Sequence, residues 1–349
     1  MNSKLKTYTL NVLFLIVLFI VTFYYIFREQ NFCDVMKYIQ SADKVYILLS
    51  VAMVLLFVCG ESVIIHYLMN SFSRVVKLTS CIKYSFIGFF VSYITPGASG
   101  GQPAQMYYMS KDGIRVSESS LVLMVVTIAY KAVLIIMGVF MLVTERSFLL
   151  THVTGSVAWI LIIGLILNIL IIGLLFFIIF KQSFARSVLV APIIWLGKKR
   201  IIRNYQKWTK KILGGINKYV DSAEYLKKHK YVIFNAFVLT AAQRICLFMV
   251  TYFVYKSFGL SGTSMYQIIT LQTMIALSVD NLPLPGGMGA SESIFVIFFD
   301  GIFRGNGMNY VLPGMVLSRS ISFYSIIVIG GIITCITHLT RKRNKRQVS

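Results

Sequence analysis

The sequence predicts an all-α polytopic membrane protein with about six full transmembrane helices and two re-entrant hairpins. Three observations predict this class: the composition, the length of the apolar runs, and two Pro/Gly-rich interruptions inside apolar segments. Of the 349 residues, 57% are hydrophobic and 13% are charged, whereas soluble domains carry about 25% charged residues. The mean hydropathy is +0.76. We therefore interpret residues 1–349 as one integral membrane domain.

The clearest spans are four apolar runs, because a bilayer-crossing helix needs about 20 mostly apolar residues. They are Tyr8–Ile26, Val45–Tyr67, Val157–Phe180 and Ser322–Ile336. The first run is longer than the core of a signal peptide and lacks a convincing small-residue cleavage site. We therefore expect residues 1–43 to contain a retained anchor helix.

The net charge of +22 is concentrated in two clusters. Thirteen Lys and Arg residues oppose two acids in residues 181–230, and five more lie in the tail, residues 341–349. Basic residues beside spans mark the cytoplasmic side and attract anionic lipid headgroups. We therefore predict a basic, amphipathic cytoplasmic loop and a cytoplasmic C-terminus. This placement argues against nucleic acid as a direct partner.

The segment between residues 78 and 109 is predicted to enter and leave the membrane on the same side. Basic loops at residues 74–83 and 111–115 flank it, and the charge bias makes both of them cytoplasmic. Proline removes a backbone donor and breaks helices, whereas glycine permits turns that other residues resist. The segment is broken at Thr95-Pro96-Gly97-Ala98-Ser99-Gly100-Gly101-Gln102-Pro103. These features predict a re-entrant hairpin.

The second half repeats this order in the opposite orientation. Residues 265–303 begin and end outside and are broken at Pro283-Leu284-Pro285-Gly286-Gly287-Met288-Gly289. We therefore predict a first repeat at 44–144 and an inverted second repeat at 231–340, joined by a transmembrane helix within 145–180 and the basic loop. Inverted repeats with Pro/Gly-interrupted short segments point to the central site of a transporter.

The two interruptions are predicted to face each other or a shared cavity. Irregular backbone at membrane depth is tolerated only where it is buried in protein or lines a wet cavity. The helix N-termini after each turn would offer free N–H groups to a phosphate or carboxylate, with Gln105 and Ser293 as further hydrogen-bonding groups. The alternative is a pair of packing turns without a ligand. The candidate lipid-binding residues at the turns are Thr95, Pro96, Gly97, Gly100, Gly101, Gln102, Pro103, Asp280, Asn281, Pro283, Pro285, Gly286, Gly287, Gly289, Ser291 and Glu292.

Four ionisable residues inside the spans complete the candidate site. An ionisable side chain in a span costs about 2.5–3.5 kcal/mol, so it faces the protein interior and has a partner. The arginine fork suits a phosphate, so we expect Arg244 and Arg319 to meet a lipid phosphate or the buried acids. The alternative is a structural ion pair, such as Glu61 with Lys131 or Arg244.

Catalytic, metal and cofactor motifs are missing from the sequence. It contains no HExxH or GxxxxGK[ST] string, and its five cysteines show no ligand spacing. We therefore predict no catalytic residue, no metal ligand and no cofactor.

Two strings give the chain a family resemblance. Ile94–Pro103 and Leu284–Glu292 resemble the two signature segments of the lysylphosphatidylglycerol synthase transmembrane region, the flippase part of the bacterial multiple peptide resistance factor. Arg319 in the last helix also fits the resemblance, which spans nearly the whole chain. One departure is at Tyr130-Lys131, where helix four of the family usually carries an acid–arginine pair.

The resemblance implies a multi-pass protein of the bacterial cytoplasmic membrane. Together with the turns, it leads us to expect a translocase for an anionic or aminoacylated phospholipid such as lysylphosphatidylglycerol, or for a polyprenyl-phosphate lipid. In full-length relatives, a cytoplasmic synthase domain transfers lysine from lysyl-tRNA to phosphatidylglycerol. We expect a stand-alone membrane region without that domain.

Two other functions stay open at this point. One is a phosphatidylglycerol lysyltransferase-type enzyme that uses Glu61, Asp280 or Glu292 as a base. The other is a membrane partner subunit that anchors a separate cytoplasmic synthase or a glycosyltransferase through the loop at 181–230. A homo-oligomer also stays open.

Overall fold

A computed structural model describes residues 32–71, 75–153, 155–180, 195, 229–305 and 307–347. The predicted anchor run at 8–26 and nearly all of the basic loop lie outside these residues. The described chain is helical apart from one short hairpin and its turns, and it contains five helices long and apolar enough to cross a membrane. The prediction of an all-α polytopic membrane protein is therefore confirmed.

The first half consists of a long helix, a short helical hairpin and a second long helix. Its helices are α1 (Phe32–Ser41), α2 (Lys44–Ser71), α3 (Leu78–Tyr93), α4 (Gly101–Lys111), α5 (Val116–Thr144) and the short α6 (Arg146–His152). Helix α7 (Ser156–Phe180) then leads towards the second half. Helices α3 and α4 form the first broken hairpin. Each of them is too short to cross a bilayer alone.

The second half has the same order. Its elements are α8 (Lys230–Ser257), α9 (Met265–Val279), α10 (Ala290–Phe299), the strands β1 (Arg304–Gly305) and β2 (Met308–Asn309), α11 (Val311–Arg319), a π-helical turn (Ser320–Tyr324) and α12 (Ser325–Gln347). A capping box at Ser264 and Gln267 starts α9. Helices α9 and α10 form the second broken hairpin.

The two halves pack on each other reciprocally. Helix α2 packs along α8, and Gly60 permits the close approach because a Cβ there would lie 3.0 Å from Cγ of Gln243. Helix α3 of the first hairpin packs on α12, and helix α9 of the second hairpin packs on α5. Each hairpin therefore lies against the last long helix of the other half, which brings the two broken turns together.

Helix α7 presents an apolar surface to the outside of the molecule. It contributes one fully buried polar side chain, Asn168, to the interior. Its exposed large apolar side chains are Trp159, Ile162, Ile163, Ile166, Ile169, Leu170, Leu174 and Phe177. Such an all-apolar outer face is what hydrocarbon contact requires of a spanning helix.

Candidate functional site

The first broken turn has two consecutive residues in the left-handed backbone region. Gly97 has a φ of +58° and Ala98 a φ of +55°. The N–H of Ala98 donates to the carbonyl of Thr95 at 3.2 Å, and the N–H of Ser99 donates to that of Pro96 at 3.3 Å. Proline followed by a residue with positive φ is the pattern of a type II turn.

The second broken turn follows the same path. Gly286 and Gly287 have φ values of +56° and +67°. The N–H of Gly287 donates to the carbonyl of Leu284 at 3.2 Å, and the N–H of Met288 donates to that of Pro285 at 3.0 Å. The strings Pro-Gly-Ala-Ser-Gly and Pro-Gly-Gly-Met-Gly therefore build equivalent turns in the two halves.

The two turns are in contact. The backbones of Pro96 and Pro285 pair as an antiparallel bridge. A Cβ at Gly97 would lie 3.8 Å from the carbonyl oxygen of Leu282. The expected meeting of the two irregular segments is thus found in the structure.

A cavity of about 210 Å³ lies beside the paired turns. Tyr93, Gly97, Ala98 and Tyr130 line it from the first half. Its polar lining from the second half consists of Arg244, Thr251, Gln272, Asp280, Ser291, Ser318, Arg319 and Ser322. The cavity therefore lies between the halves and combines charged, hydroxyl and backbone groups.

Asp280 is neutralised by Lys131 at one wall of the cavity. Nζ of Lys131 lies 2.6 Å from Oδ2 of Asp280, and it also donates to Oδ1 of Asn281 and Oδ1 of Asn168, both at 2.9 Å. The hydroxyl of Tyr130 donates to the other oxygen of Asp280. This network joins α5 and α7 to the end of α9. The alternative pairing of Glu61 with Lys131 is wrong, because the helix packing turns Lys131 towards Asp280.

Glu292 and Arg319 form the second ion pair. Nε of Arg319 lies 2.7 Å from Oε1 of Glu292, whose side chain is 2% exposed. Oε2 of Glu292 accepts from the N–H of Gly289 at 2.8 Å and from the hydroxyl of Ser291 at 2.9 Å. Nη2 of Arg319 donates to the carbonyl of Gly286 at 3.2 Å. The pair therefore holds the second turn and the start of α10 in place.

Phe323 fixes the position of Arg319 from the π-helical turn. The guanidinium carbon of Arg319 lies 4.2 Å from the centroid of the Phe323 ring. That ring also packs on Tyr93 of the first half, with centroids 4.6 Å apart. A Cβ at Gly286 would overlap the Phe323 ring, so the ring occupies space that only glycine leaves free. Short π-helical segments such as Ser320–Tyr324 are frequent at functional sites.

Arg244 is stacked but has hydrogen-bonding capacity to spare. Its guanidinium carbon lies 3.7 Å from the centroid of Tyr130 and 5.2 Å from that of Phe57. Its Nε is buried and has no hydrogen-bond partner among the residues that the structure describes. An unsatisfied buried donor is costly, about 1–3 kcal/mol and more for a charged group. Arg244 is thus a stacked cation on the cavity wall with an unsatisfied donor.

Glu61 lies behind the cavity wall. Its side chain is buried, and its Oε1 accepts from Nε2 of Gln105 at 2.8 Å. Gly88 of α3 makes room for that amide, since a Cβ there would overlap it. Glu61 does not line the cavity.

Known proteins resemble this chain over a stretch that includes both broken turns. The model of the family described as the lysylphosphatidylglycerol synthase TM region matches residues 10–330, which include both broken turns. The chain belongs to this family. It is similar to a UPF0104 membrane protein of Pyrococcus horikoshii, at 26% identity over 309 residues that cover 85% of this chain and 88% of the relative. It is also similar to one of Methanothermobacter thermautotrophicus, at 23% identity with coverage of 84% and 85%.

Tyr130 and Lys131 belong to the polar network beside the cavity in this member of the lysylphosphatidylglycerol synthase TM region family. Tyr130 supports the guanidinium of Arg244 with its ring and contacts Asp280 with its hydroxyl. Lys131 supplies the charge that Asp280 needs. Tyr130 and Lys131 therefore link Arg244 and Asp280, which are the two charged groups of one cavity wall.

The candidate residues divide into a lining group and a supporting group. The candidates that line the cavity are Gly97, Arg244, Asp280, Gly286, Gly287, Ser291 and Arg319. The candidates that do not line it are Glu61, Thr95, Pro96, Gly100, Gly101, Gln102, Pro103, Lys131, Asn281, Pro283, Pro285, Gly289 and Glu292. A lipid-binding role for any of them stays a prediction.

Gln102 shows why the first turn contributes fewer lining groups than expected. Its Nε2 donates to the hydroxyl of Thr127 on α5, and Gln102 does not line the cavity. Gly101 packs so closely on α3 that a Cβ there would overlap Ser92. This packing fixes the rotation of α4 and turns Gln102 towards α5.

Sequence reasoning missed the aromatic and hydroxyl groups of the cavity. The missed residues include Tyr93, Tyr130, Ser318, Ser322 and Phe323. On the last helix a signal was present, because residues three and four apart share one helix face. Arg319, Ser322 and Phe323 have this spacing, so the position of Arg319 could have indicated the other two.

Proposed function

We propose that this chain is a lipid translocase that moves an anionic phospholipid across the cell membrane, with the phosphate passing through the cavity between the two broken turns. The observation that carries the proposal is Arg244, a stacked guanidinium on the cavity wall whose Nε has no partner among the described residues. The planar guanidinium offers donors in a fork that matches two phosphate oxygens. The proposal includes a cytoplasmic position for the C-terminus and the basic loop.

The charges around the cavity support an anionic ligand. Asp280 is paired with Lys131, and Glu292 is paired with Arg319. Each of these pairs is neutral as a unit. Arg244 lines the same cavity and forms no ion pair within 4.0 Å among the described residues, so its guanidinium can attract a negative group. A phosphate is such a group in phosphatidylglycerol, in lysylphosphatidylglycerol and in a polyprenyl-phosphate lipid alike.

The size of the cavity supports a headgroup as its occupant. Pockets for drug-sized ligands measure about 300–1,000 Å³, and this cavity measures about 210 Å³. It can take a phosphate and part of a headgroup, while the acyl chains stay in the surrounding hydrocarbon. A route of this kind separates the costly polar transfer from the apolar chains, which need no protein cavity.

The exposure of the first turn supports access from its side. Pro96, Gly97, Ala98 and Ser99 are exposed, whereas Pro285 of the second turn is buried. Exposed irregular backbone is stable at membrane depth only beside water or polar groups. We therefore infer that the headgroup passes the first turn on its way to Arg244.

The enzyme alternative has less support than translocation. A general base must lie within hydrogen-bond reach of the proton that it abstracts, and each hydrogen bond that it already accepts lowers its basicity. Both oxygens of Asp280 and both of Glu292 accept hydrogen bonds from protein groups. Glu61 lies off the cavity lining. The described residues therefore offer better groups for holding a headgroup than for reacting with it.

Reconstitution tests the proposal directly. Vesicles with the purified chain and a fluorescent phosphatidylglycerol should show transfer of the inner-leaflet probe to the outer leaflet, measured by quenching with a membrane-impermeant reductant. Arg244→Gln should lower the rate at least tenfold. Arg304→Gln is the matched control, because Arg304 pairs with Asp300 on the exposed surface. Correctly folded wild-type protein that transfers no more probe than empty vesicles would contradict the proposal.

A further inference from the structure

Glu61 differs from the other buried acids at the interface of the two halves. Asp280 and Glu292 each contact a cation at 2.6–2.7 Å. Glu61 has no cation within 4.0 Å among the residues that the structure describes, and its Oε1 accepts only from the neutral amide of Gln105. A buried carboxylate without an ion-pair partner is costly, so the balance between the charged and the neutral form of such an acid is sensitive to nearby charges.

Arg244 is the charged group that acts on Glu61. Gly60 on α2 packs directly against Gln243 on α8. Glu61 and Arg244 are the next residues of these two helices. The guanidinium carbon of Arg244 lies 5.2 Å from the centroid of Phe57, which is one helical turn before Glu61 on the same face of α2, and the two charged side chains form no ion pair. The guanidinium is instead stacked on Tyr130. Arg244 thus lines the cavity and also approaches the face of α2 that carries Glu61.

The other groups around Glu61 are neutral or already paired. Helix α3 contributes Tyr93 and helix α4 contributes Gln105. The nearest cation of α5 is Lys131, which is bonded to Asp280, and that of the last helix is Arg319, which is bonded to Glu292. Burial and the Gln105 hydrogen bond do not change when an anion binds in the cavity, so the charge of Arg244 is the influence on Glu61 that a bound anion can alter.

We propose that Glu61 takes up a proton when a lipid phosphate binds at Arg244. The positive field of Arg244 favours the charged carboxylate of Glu61. A phosphate at Arg244 cancels that field, so the neutral carboxyl becomes the favoured form. The proton comes from bulk water, forms an O–H bond on the carboxyl, and returns to water when the lipid leaves.

This inference rests on the proposed function and adds a coupling ion to it. Linkage is reciprocal, so a proton on Glu61 must also strengthen phosphate binding. A lipid is then loaded more readily from the side of higher proton activity and released more readily on the other side. A proton gradient across the membrane would in this way give direction to the movement of lipid.

Calorimetry on the full chain in detergent tests the inference. Short-chain phosphatidylglycerol is titrated in pairs of buffers that differ in their heat of ionisation, between about pH 5 and pH 9, which spans ordinary and buried glutamates. Wild-type protein should take up as much as one proton per lipid. Its dissociation constant should rise up to tenfold per pH unit where Glu61 titrates, because one pKa unit is a factor of ten.

Two variants make the result specific. Glu61→Gln should bind the lipid with no proton uptake and no pH dependence. Glu118→Gln should keep both, because Glu118 is an equally buried acid, 8% exposed as Glu61 is, that lies with Arg115 at the start of α5. Proton uptake that persists in Glu61→Gln would overturn the inference. If that variant does not fold, the infrared band of a protonated carboxyl should appear when wild-type protein binds lipid, and no such band overturns the inference.

The outcomes separate this inference from the proposed function. Lipid binding that depends on Arg244 but carries no proton overturns the inference and leaves translocation standing. No lipid binding by wild-type protein contradicts both. Inorganic phosphate serves as a second ligand, and we expect it to bind more weakly. Its own second ionisation lies within this pH range, so the proton uptake due to Glu61 is the difference between wild-type protein and Glu61→Gln. Binding of inorganic phosphate without binding of the lipid would overturn the assignment to a lipid phosphate.

Discussion

The backbones of Pro96 and Pro285 pair as an antiparallel bridge, although the two residues belong to different halves of the chain. Each proline opens a turn in which the next two residues have positive φ. The bridge brings together the turns of the two hairpins. In these turns the backbone N–H and C=O groups are not paired within a helix. The cavity with Arg244 and Arg319 lies beside this junction, so the geometry of the turns determines the geometry of the site.

Cysteines at the two bridged positions should form a disulfide. Cα atoms of directly opposed residues in an antiparallel pair lie about 4.5–5.5 Å apart, within the range of a disulfide. In a background without the native cysteines, Pro96→Cys/Pro285→Cys should cross-link under mild oxidation, as seen by a shift after cleavage of the chain between the halves. Pro103→Cys/Pro285→Cys is the control, because Pro103 lies within α4. Equal cross-linking of both pairs would count against the bridge.

Gly286→Ala should destabilise the protein more than an alanine at another left-handed glycine. Gly286 has a φ of +56°, and a Cβ there would overlap the ring of Phe323. Overpacking costs about 1–3 kcal/mol on top of the backbone strain. Gly113→Ala has the same kind of strain, with a φ of +84°, but open space around it. Thermal unfolding in detergent should give a clearly lower Tm for Gly286→Ala, and equal values would refute the role of Phe323.

Ala98→Gly should stabilise the protein slightly. Ala98 is a non-glycine residue with a φ of +55°. The left-handed conformation costs an alanine about 1–2 kcal/mol, and glycine avoids this cost. Glycine loses more chain entropy on folding, which offsets part of the gain. We expect a gain of up to about 1 kcal/mol in the free energy of unfolding. Ala104→Gly, inside α4, should have the opposite sign. A loss of stability in Ala98→Gly would show that the alanine methyl has a packing role.

Lys131→Met should destabilise the protein strongly, and Asp280→Asn should partly reverse the loss. The lysine and aspartate side chains are only 9% and 17% exposed. Removing one partner of a buried ion pair costs about 3–5 kcal/mol, because the other charge is left uncompensated. Denaturant unfolding of both single variants and the double variant measures the coupling. Additive losses in the double variant would contradict the direct pairing.

The hairpins and their meeting could be predicted from the sequence because their causes are local. Proline and glycine at Pro96-Gly97 and Pro285-Gly286 break helices wherever they lie. The requirement that such backbone be sheltered in a membrane then brings the two turns together. The rule that an ionisable residue inside a span needs a partner likewise predicted that Arg319 meets a buried acid, which is Glu292.

The pairing inside the site could not be predicted, because it depends on how helices are rotated against each other. Lys131 meets Asp280 rather than Glu61 as a result of the contact between α5 and α9. Gln102 turns towards Thr127 because Gly101 packs closely on α3. The stacking of Arg244 on Tyr130 joins residues of different halves. No local pattern in the sequence carries this information.

The central claim is that a lipid phosphate binds between the two turns at Arg244. The most direct test is a density map of the full chain in nanodiscs that contain phosphatidylglycerol, at a resolution that shows side chains. We predict phosphate density within hydrogen-bond distance of the Arg244 guanidinium, inside the cavity beside Pro96 and Pro285. An ordered site with an empty cavity, and lipid only on the outer faces of the helices, would contradict the account.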